Sequence, residues 1–197
     1  MATDLPDGEL IAGSVADPAM FADIFDRHYG ELYRYLRRQV GADLAADLAA
    51  ETFVTAFARR SAYRPQSADA RPWLYGIAHN LLRNHRRRQR RQLAAYARHG
   101  AQPVADATAE AEFALADARA DSAAVNARLE QILARMADRD RDVLQLVAWA
   151  DMSYAEVAQA LSIPLGTVRS RLNRARRELR ALLENDPPQE LLGERHG

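Results

Sequence analysis

The chain contains no cysteine and no lysine, and aromatic residues fill only 7% of its 197 positions. Without cysteine, disulfides, thiolate metal sites, a cysteine nucleophile and thiol redox sensing are excluded. No segment alternates polar and apolar residues as a strand requires, and no apolar run approaches the roughly 18 residues of a membrane span. The sequence does not open on a basic segment followed by an apolar one, so a cytoplasmic protein is expected. Net formal charge is also missing: it sums to zero, which by itself argues against a nucleic-acid partner. What is present is a 48% hydrophobic content rich in alanine, which points to an all-α fold.

The zero net charge conceals segregation. All 27 basic residues are arginine, a bias given no functional weight. Seven arginines and no acid lie between Leu81 and Gly100, and six lie from Gly166 to Arg180 against Glu178 alone. Local basic patches of this kind are electrostatic footprints for nucleic acid.

The second patch sits in the most organised stretch, SYAEVAQALSIPLGTVRSRLNRARRELR. Ser153 with Glu156 three residues on predicts a helix start, and Ala155, Val157, Ala158 and Leu161 form its apolar face. Pro164 and Gly166 break the chain, Thr167 offers a new cap, and Val168, Leu172, Ala175 and Leu179 stripe a second helix. This is a helix-turn-helix pattern. Arg169, Ser170, Asn173, Arg174 and Arg177 fall away from the stripe, where Arg and Asn suit base edges and Ser170 suits phosphate. The plainer alternative is a helical hairpin with a solvated basic face.

In chain order, residues 1–18 are polar, carry Asp4, Asp7, Glu9 and Asp17, and are expected to form a mobile, disordered arm. A first domain is expected over 19–93. Phe21, Ile24, Phe25, Tyr29, Leu32, Tyr33 and Leu36 share one helical face that ends at Gly41, followed by a helix packed through Leu44, Leu48, Phe53, Ala56 and Phe57. On that helix Asp47 and Glu51 lie four apart on an outward face. They could be acid and base, metal ligands, a solvated surface or a docking patch, and the absence of a nearby His, Cys or third acid weighs against the first two.

A polar loop with Tyr63, Arg64, Pro65 and Pro72 follows, suited to stacking an unpaired base or serving as a plain connector. Next comes a helix with Trp73, Ile77 and Leu81 or Leu82 inward. His79, Asn80, Arg83, Asn84, Arg87 and Arg88 are expected outward or flanking, and His79 is assigned no role. Residues 94–124 read as an acidic, flexible linker with Pro103. A second domain is expected over 125–184, opened by Val125, Leu129, Ile132, Leu133 and Met136 and then by Val143, Leu144, Leu146, Val147 and Trp149. Residues 185–197 form a tail without a recognisable motif.

Three stretches in series, DLAAETFVTAF, RPWLYGIAHNLLRNHRR and MSYAEVAQALSIPLGTVRSRLNRARRELR, make the chain resemble bacterial RNA polymerase sigma factors of the extracytoplasmic-function (ECF) group. That group keeps only the DNA-binding regions 2 and 4, and the likeness spans about 20–90 and 125–183. The resemblance implies two small helical domains, region 2 and a region 4 helix-turn-helix, joined by a flexible linker that could pass the polymerase active site and RNA exit path.

It also implies that Asp47 and Glu51 dock on the clamp helices of the largest subunit of core RNA polymerase. Asn80, Arg83 and Asn84, with Arg87 beside them, would read the promoter −10 element; Tyr63 and Arg64 would hold an extruded base, and Trp73 would pack the domain. Arg169, Ser170, Asn173 and Arg174 would set −35 specificity, with Thr167 and Arg171 on the DNA backbone.

Promoter DNA, core polymerase and an anti-sigma factor are the implied partners. No catalysis, cofactor, metal or small-molecule substrate is implied. Two departures stand out: Ala78-His79-Asn80 replaces the usual Ala-Arg-Asn, and Met136-Ala137 replaces a common Leu-Pro. The rival readings are a stand-alone helix-turn-helix repressor or activator and an RNA-binding or nuclease-like protein using the Arg87 cluster.

Overall fold

The computed structural model describes residues 5–64, 69–98, 129 and 131–184. Residues 99–124 of the expected linker, the opening of the second domain at 125–128 and the tail 185–197 lie outside the described residues. Among the described residues there is no strand, and no helix is long and apolar enough to cross a membrane.

The arm expected over 1–18 is, from Leu5 onward, an ordered part of the fold. Asp7–Gly13 form helix α1, started by the Pro6 carbonyl, which accepts from the amides of Glu9 and Leu10. Leu10, Ile11 and Ser14 are fully buried, and the Ser14 hydroxyl donates to the Ile11 carbonyl at 2.6 Å. Positions 7, 10, 11 and 14 fall at the spacing of one helical face, so a short amphipathic turn is pinned to the core rather than solvated.

Asp17 caps a short 3-10 turn at Pro18–Met20 through the Ala19 amide, and helix α2 follows over Phe21–Val40. Its buried face is Phe21, Ile24, His28, Leu32, Tyr35 and Leu36. The expected face is therefore rotated: Phe25 is 40% exposed, and Tyr29 and Tyr33 are half-buried in a ladder of stacked rings with it. Gly41 ends the helix with φ +81° and ψ 176°, a backbone region that only glycine occupies at no steric cost.

Helix α3, Ala42–Arg59, packs on α2 through Ala45, Leu48, Ala49, Thr52, Phe53 and Ala56. Thr52 is tolerated inside because its hydroxyl bonds the Leu48 carbonyl at 2.6 Å. Helix α4, Arg71–Arg98, lies against α3 and buries Leu74, Tyr75, Ile77, Ala78 and Leu82. It continues five residues beyond the boundary expected at 93, because Gln92, Leu93 and Ala94 are good helix formers with nothing to stop them. His79 is buried, against the expectation that it lies outward or flanking.

In the second half, residues 131–135 are helical, Asp138–Trp149 form α5, Tyr154–Leu161 form α6 and Leu165–Glu184 form α7. The turn before α5 forms without proline. Ala137 takes φ −58° and ψ 130°, values a proline would also adopt. Helix α7 starts at Leu165, with the Pro164 carbonyl accepting from Thr167 and Val168. Thr167 thus sits inside the first turn and is not the cap expected from sequence. Of the predicted stripe, Val168, Leu172 and Ala175 are buried on the side packed with α5, joined at Ala175 by Leu133 and Met136, while Leu179 is half-buried.

The chain divides into two compact units. One holds α1 to α4 together with residues 155–163, and the other holds α5 and α7. Residues 155–163 hold most of helix α6. Within the first unit Gly76 accommodates it, since a Cβ there would lie 2.7 Å from the Ala160 carbonyl oxygen.

Candidate nucleic-acid interface

The inward positions of α4 leave one face for solvent. Asn80, Arg83, Asn84, Arg87 and Arg88 are all exposed on it, as the helical spacing predicts. Arg86 is instead half-buried and donates to the Gln39 side chain at 2.9 Å, fastening α4 to the end of α2. Asn80, Arg83, Asn84 and Arg87 are thus brought together on one helix.

Tyr63 and Arg64 precede α4 and part company. Arg64 is exposed, with its guanidinium donating to the carbonyls of Ser61 and Tyr63. Tyr63 is 8% exposed, and its ring lies 4.6 Å from that of half-buried Trp73 at 45°. Its hydroxyl is buried without a hydrogen-bond partner among the described residues. Burial, reinforced by the charges of Asp7 and Asp69, raises the pKa of that phenol above its ordinary value.

No local sequence pattern marks the group beside Tyr63. The Asp7 carboxylate accepts from Arg27 at 2.9 Å on Oδ1, and on Oδ2 it meets His28 Nε2 at 2.6 Å and the Ala70 amide at 2.9 Å. Asp69 lies 3.9 Å from His28 and accepts from the Arg71 amide at the start of α4. Burial pushes the Asp7 carboxyl up, but the Ala70 amide, His28 and Arg27 outweigh it and hold the group below the usual carboxylate value. Asp69 goes the other way: burial raises it beyond what the Arg71 amide and His28 offset. Ligand atoms of Asp7, His28 and Asp69 lie within 4.8 Å of one another, the spacing of a cation site. Both Asp7 oxygens are nevertheless occupied by donors, so the arrangement is a hydrogen-bond hub.

On α7, Arg169, Ser170, Asn173, Arg174, Arg176 and Arg177 are exposed, and Thr167 and Arg171 are half-buried. Two of them are engaged locally. The Ser170 hydroxyl donates to the Thr167 carbonyl at 3.0 Å. Arg174 reaches across to α5 and pairs at 3.2 Å with Asp140, a fully buried carboxylate in the first turn of that helix. Asp47 and Glu51 are exposed on α3, with Val54 beyond them 69% exposed.

A sigma-70 region 2 family model matches residues 24–92, and a sigma-70 region 4 model matches residues 126–179. The ECF RNA polymerase sigma factor SigM of Mycobacterium tuberculosis is 32% identical over 178 residues, which cover 90% of this chain and 84% of SigM. This chain belongs to the ECF sigma factors. As such it is a promoter-specificity subunit rather than an enzyme, and it directs transcription initiation. With region 2 and region 4 matched in one chain, the stand-alone helix-turn-helix regulator falls away.

Solved structures share the sigma factor's fold. CnrH, determined with the cytosolic domain of CnrY, superimposes with a TM-score of 0.65 at 24% identity, over 91% of this chain and 98% of CnrH. The sigma factor RpoE of Bartonella quintana, determined with the anti-sigma factor NepR, gives 0.61 at 22% identity over 84% and 98%.

Proposed function

We propose that this sigma factor binds core RNA polymerase through the exposed face of α3 and reads its promoter with two separate helix faces. Asp47 and Glu51 supply charge that docks on the clamp helices of the largest subunit, with Val54 adding apolar area. Asn80, Arg83, Asn84 and Arg87 on α4 contact the −10 element, with exposed Arg64 placed to meet an unstacked base. Arg169 and Asn173 read −35 base edges in the major groove, while Thr167, Ser170 and Arg171 serve the DNA backbone and Arg174 lies at the margin.

The observation that carries this reading is the joint exposure of asparagine and arginine on one face of α4 and again on one face of α7. An anti-sigma factor that holds the protein inactive, and residence in the cytoplasm where polymerase works, follow from the same family reading.

Substituting Asp47→Arg tests the docking half. Co-sedimentation with core polymerase is expected to weaken at least about tenfold, while −35 duplex binding and thermal stability stay unchanged. Undiminished co-sedimentation would remove Asp47 from the docking surface.

A further inference from the structure

The hub at Asp7 joins segments far apart in sequence. Asp7 lies in α1, Arg27 and His28 are 20 and 21 positions away in α2, and the Ala70 amide is 63 positions away at the entry to α4. Tyr63, at the other end of the α3–α4 connection, is close enough for its phenol to be raised by the charges of Asp7 and Asp69. One carboxylate therefore holds the start of the −10-reading helix and shapes the surroundings of the residue that precedes Arg64.

We propose that Asp7 is a positioning residue for promoter opening, and that α1 acts as a clamp fixing the entry of α4 in the geometry that captures the unpaired −10 strand. This rests on the assignment of −10 reading to α4. An amide at a helix entry needs an acceptor, and the Ala70 amide finds it on another element rather than in a local cap. The carboxylate that provides it is buried and fixed by two more donors, so its position is set by α2. Arg60 ties the same clamp at its far end, donating to the Ser14 carbonyl at 3.0 Å from the close of α3. Arg60 at the close of α3 and Ala70 at the entry to α4 are thus both bonded to α1 or its C-cap, and Asp7 itself is 5% exposed.

The test uses the full chain with core polymerase and compares wild type, Asp7→Asn, Asp7→Ala and Leu10→Ala. Leu10→Ala removes buried apolar volume from α1 and leaves Asp7 and its three donors in place. Opening is followed by a fluorescent base in the −10 element of a duplex promoter, beside the same promoter with that element already mismatched. Asp7→Ala is expected to slow duplex opening at least about tenfold, with Asp7→Asn intermediate because it keeps an acceptor for Ala70. Core-polymerase affinity and −35 duplex binding should stay at the wild-type level, and the mismatched promoter should recover most of the loss.

Opening unaffected by Asp7→Ala would overturn the proposal. So would a loss matched by Leu10→Ala at equal thermal destabilisation, since that is what mere unfolding of α1 gives. If the wild-type protein itself fails to open the duplex promoter, the assignment of −10 reading to α4 fails instead.

Discussion

An arginine on an exposed helix face can direct its charge outward or at its own fold, and Arg174 does the second. Asp140 is fully buried and meets the Arg174 guanidinium at 3.2 Å, so truncation leaves a carboxylate inside without its counter-ion. Arg174→Ala is expected to lower the unfolding free energy by about 1 to 3 kcal/mol in urea titration. Arg169→Ala, on the open face, should leave that titration within about 0.5 kcal/mol of wild type and relax −35 base preference by about 1 to 3 kcal/mol. Equal behaviour of the two variants would contradict the distinction.

Tyr63 supplies the opposite case, a buried hydroxyl without a partner among the described residues, beside two carboxylates. Tyr63→Phe keeps the ring contact with Trp73 and should be neutral or stabilising by about 1 kcal/mol in thermal unfolding. A clear loss of stability would mean the hydroxyl does have a partner.

At the scale of elements, periodicity carried the reading where helices are long and one-sided. Val168, Leu172 and Ala175 are the buried stripe of α7, and Asn80, Arg83, Asn84 and Arg87 face outward on α4, all legible from spacing alone. Helix α1 is hidden in a polar stretch that carries four acids and contains Pro6 and Pro18, although Asp7, Leu10, Ile11 and Ser14 hold helical offsets. The rotated face of α2 has a different cause. Phe25, Tyr29 and Tyr33 outrank His28 on any apolar scale, yet His28 is buried because Asp7 partners it. Neither that pairing nor Asp140 with Arg174, 34 positions apart, leaves a trace in local pattern.

Gly41 was legible as a helix stop, and its backbone shows how strict the stop is. A Cβ there would meet nothing within 4 Å, so any cost of Gly41→Ala comes from φ +81° alone. The variant should lose about 1 to 3 kcal/mol of stability in chemical denaturation. An unchanged midpoint would show that the α2–α3 junction relaxes freely.

For the whole molecule, the balanced charge is a sum of two arginine-rich helix faces and acids placed elsewhere, among them Asp47 and Glu51 on α3. A protein that must bind both polymerase and promoter DNA gains from keeping charges of opposite sign on separate faces. What these faces serve is promoter-directed initiation. Its most direct measurement is run-off transcription by core polymerase on a genomic promoter library, with and without the full-length protein. Discrete transcripts that depend on the protein, share −10 and −35 elements and are lost with Asn80→Ala or Arg169→Ala are the predicted result. Transcripts equal in number and start site without the protein would contradict it.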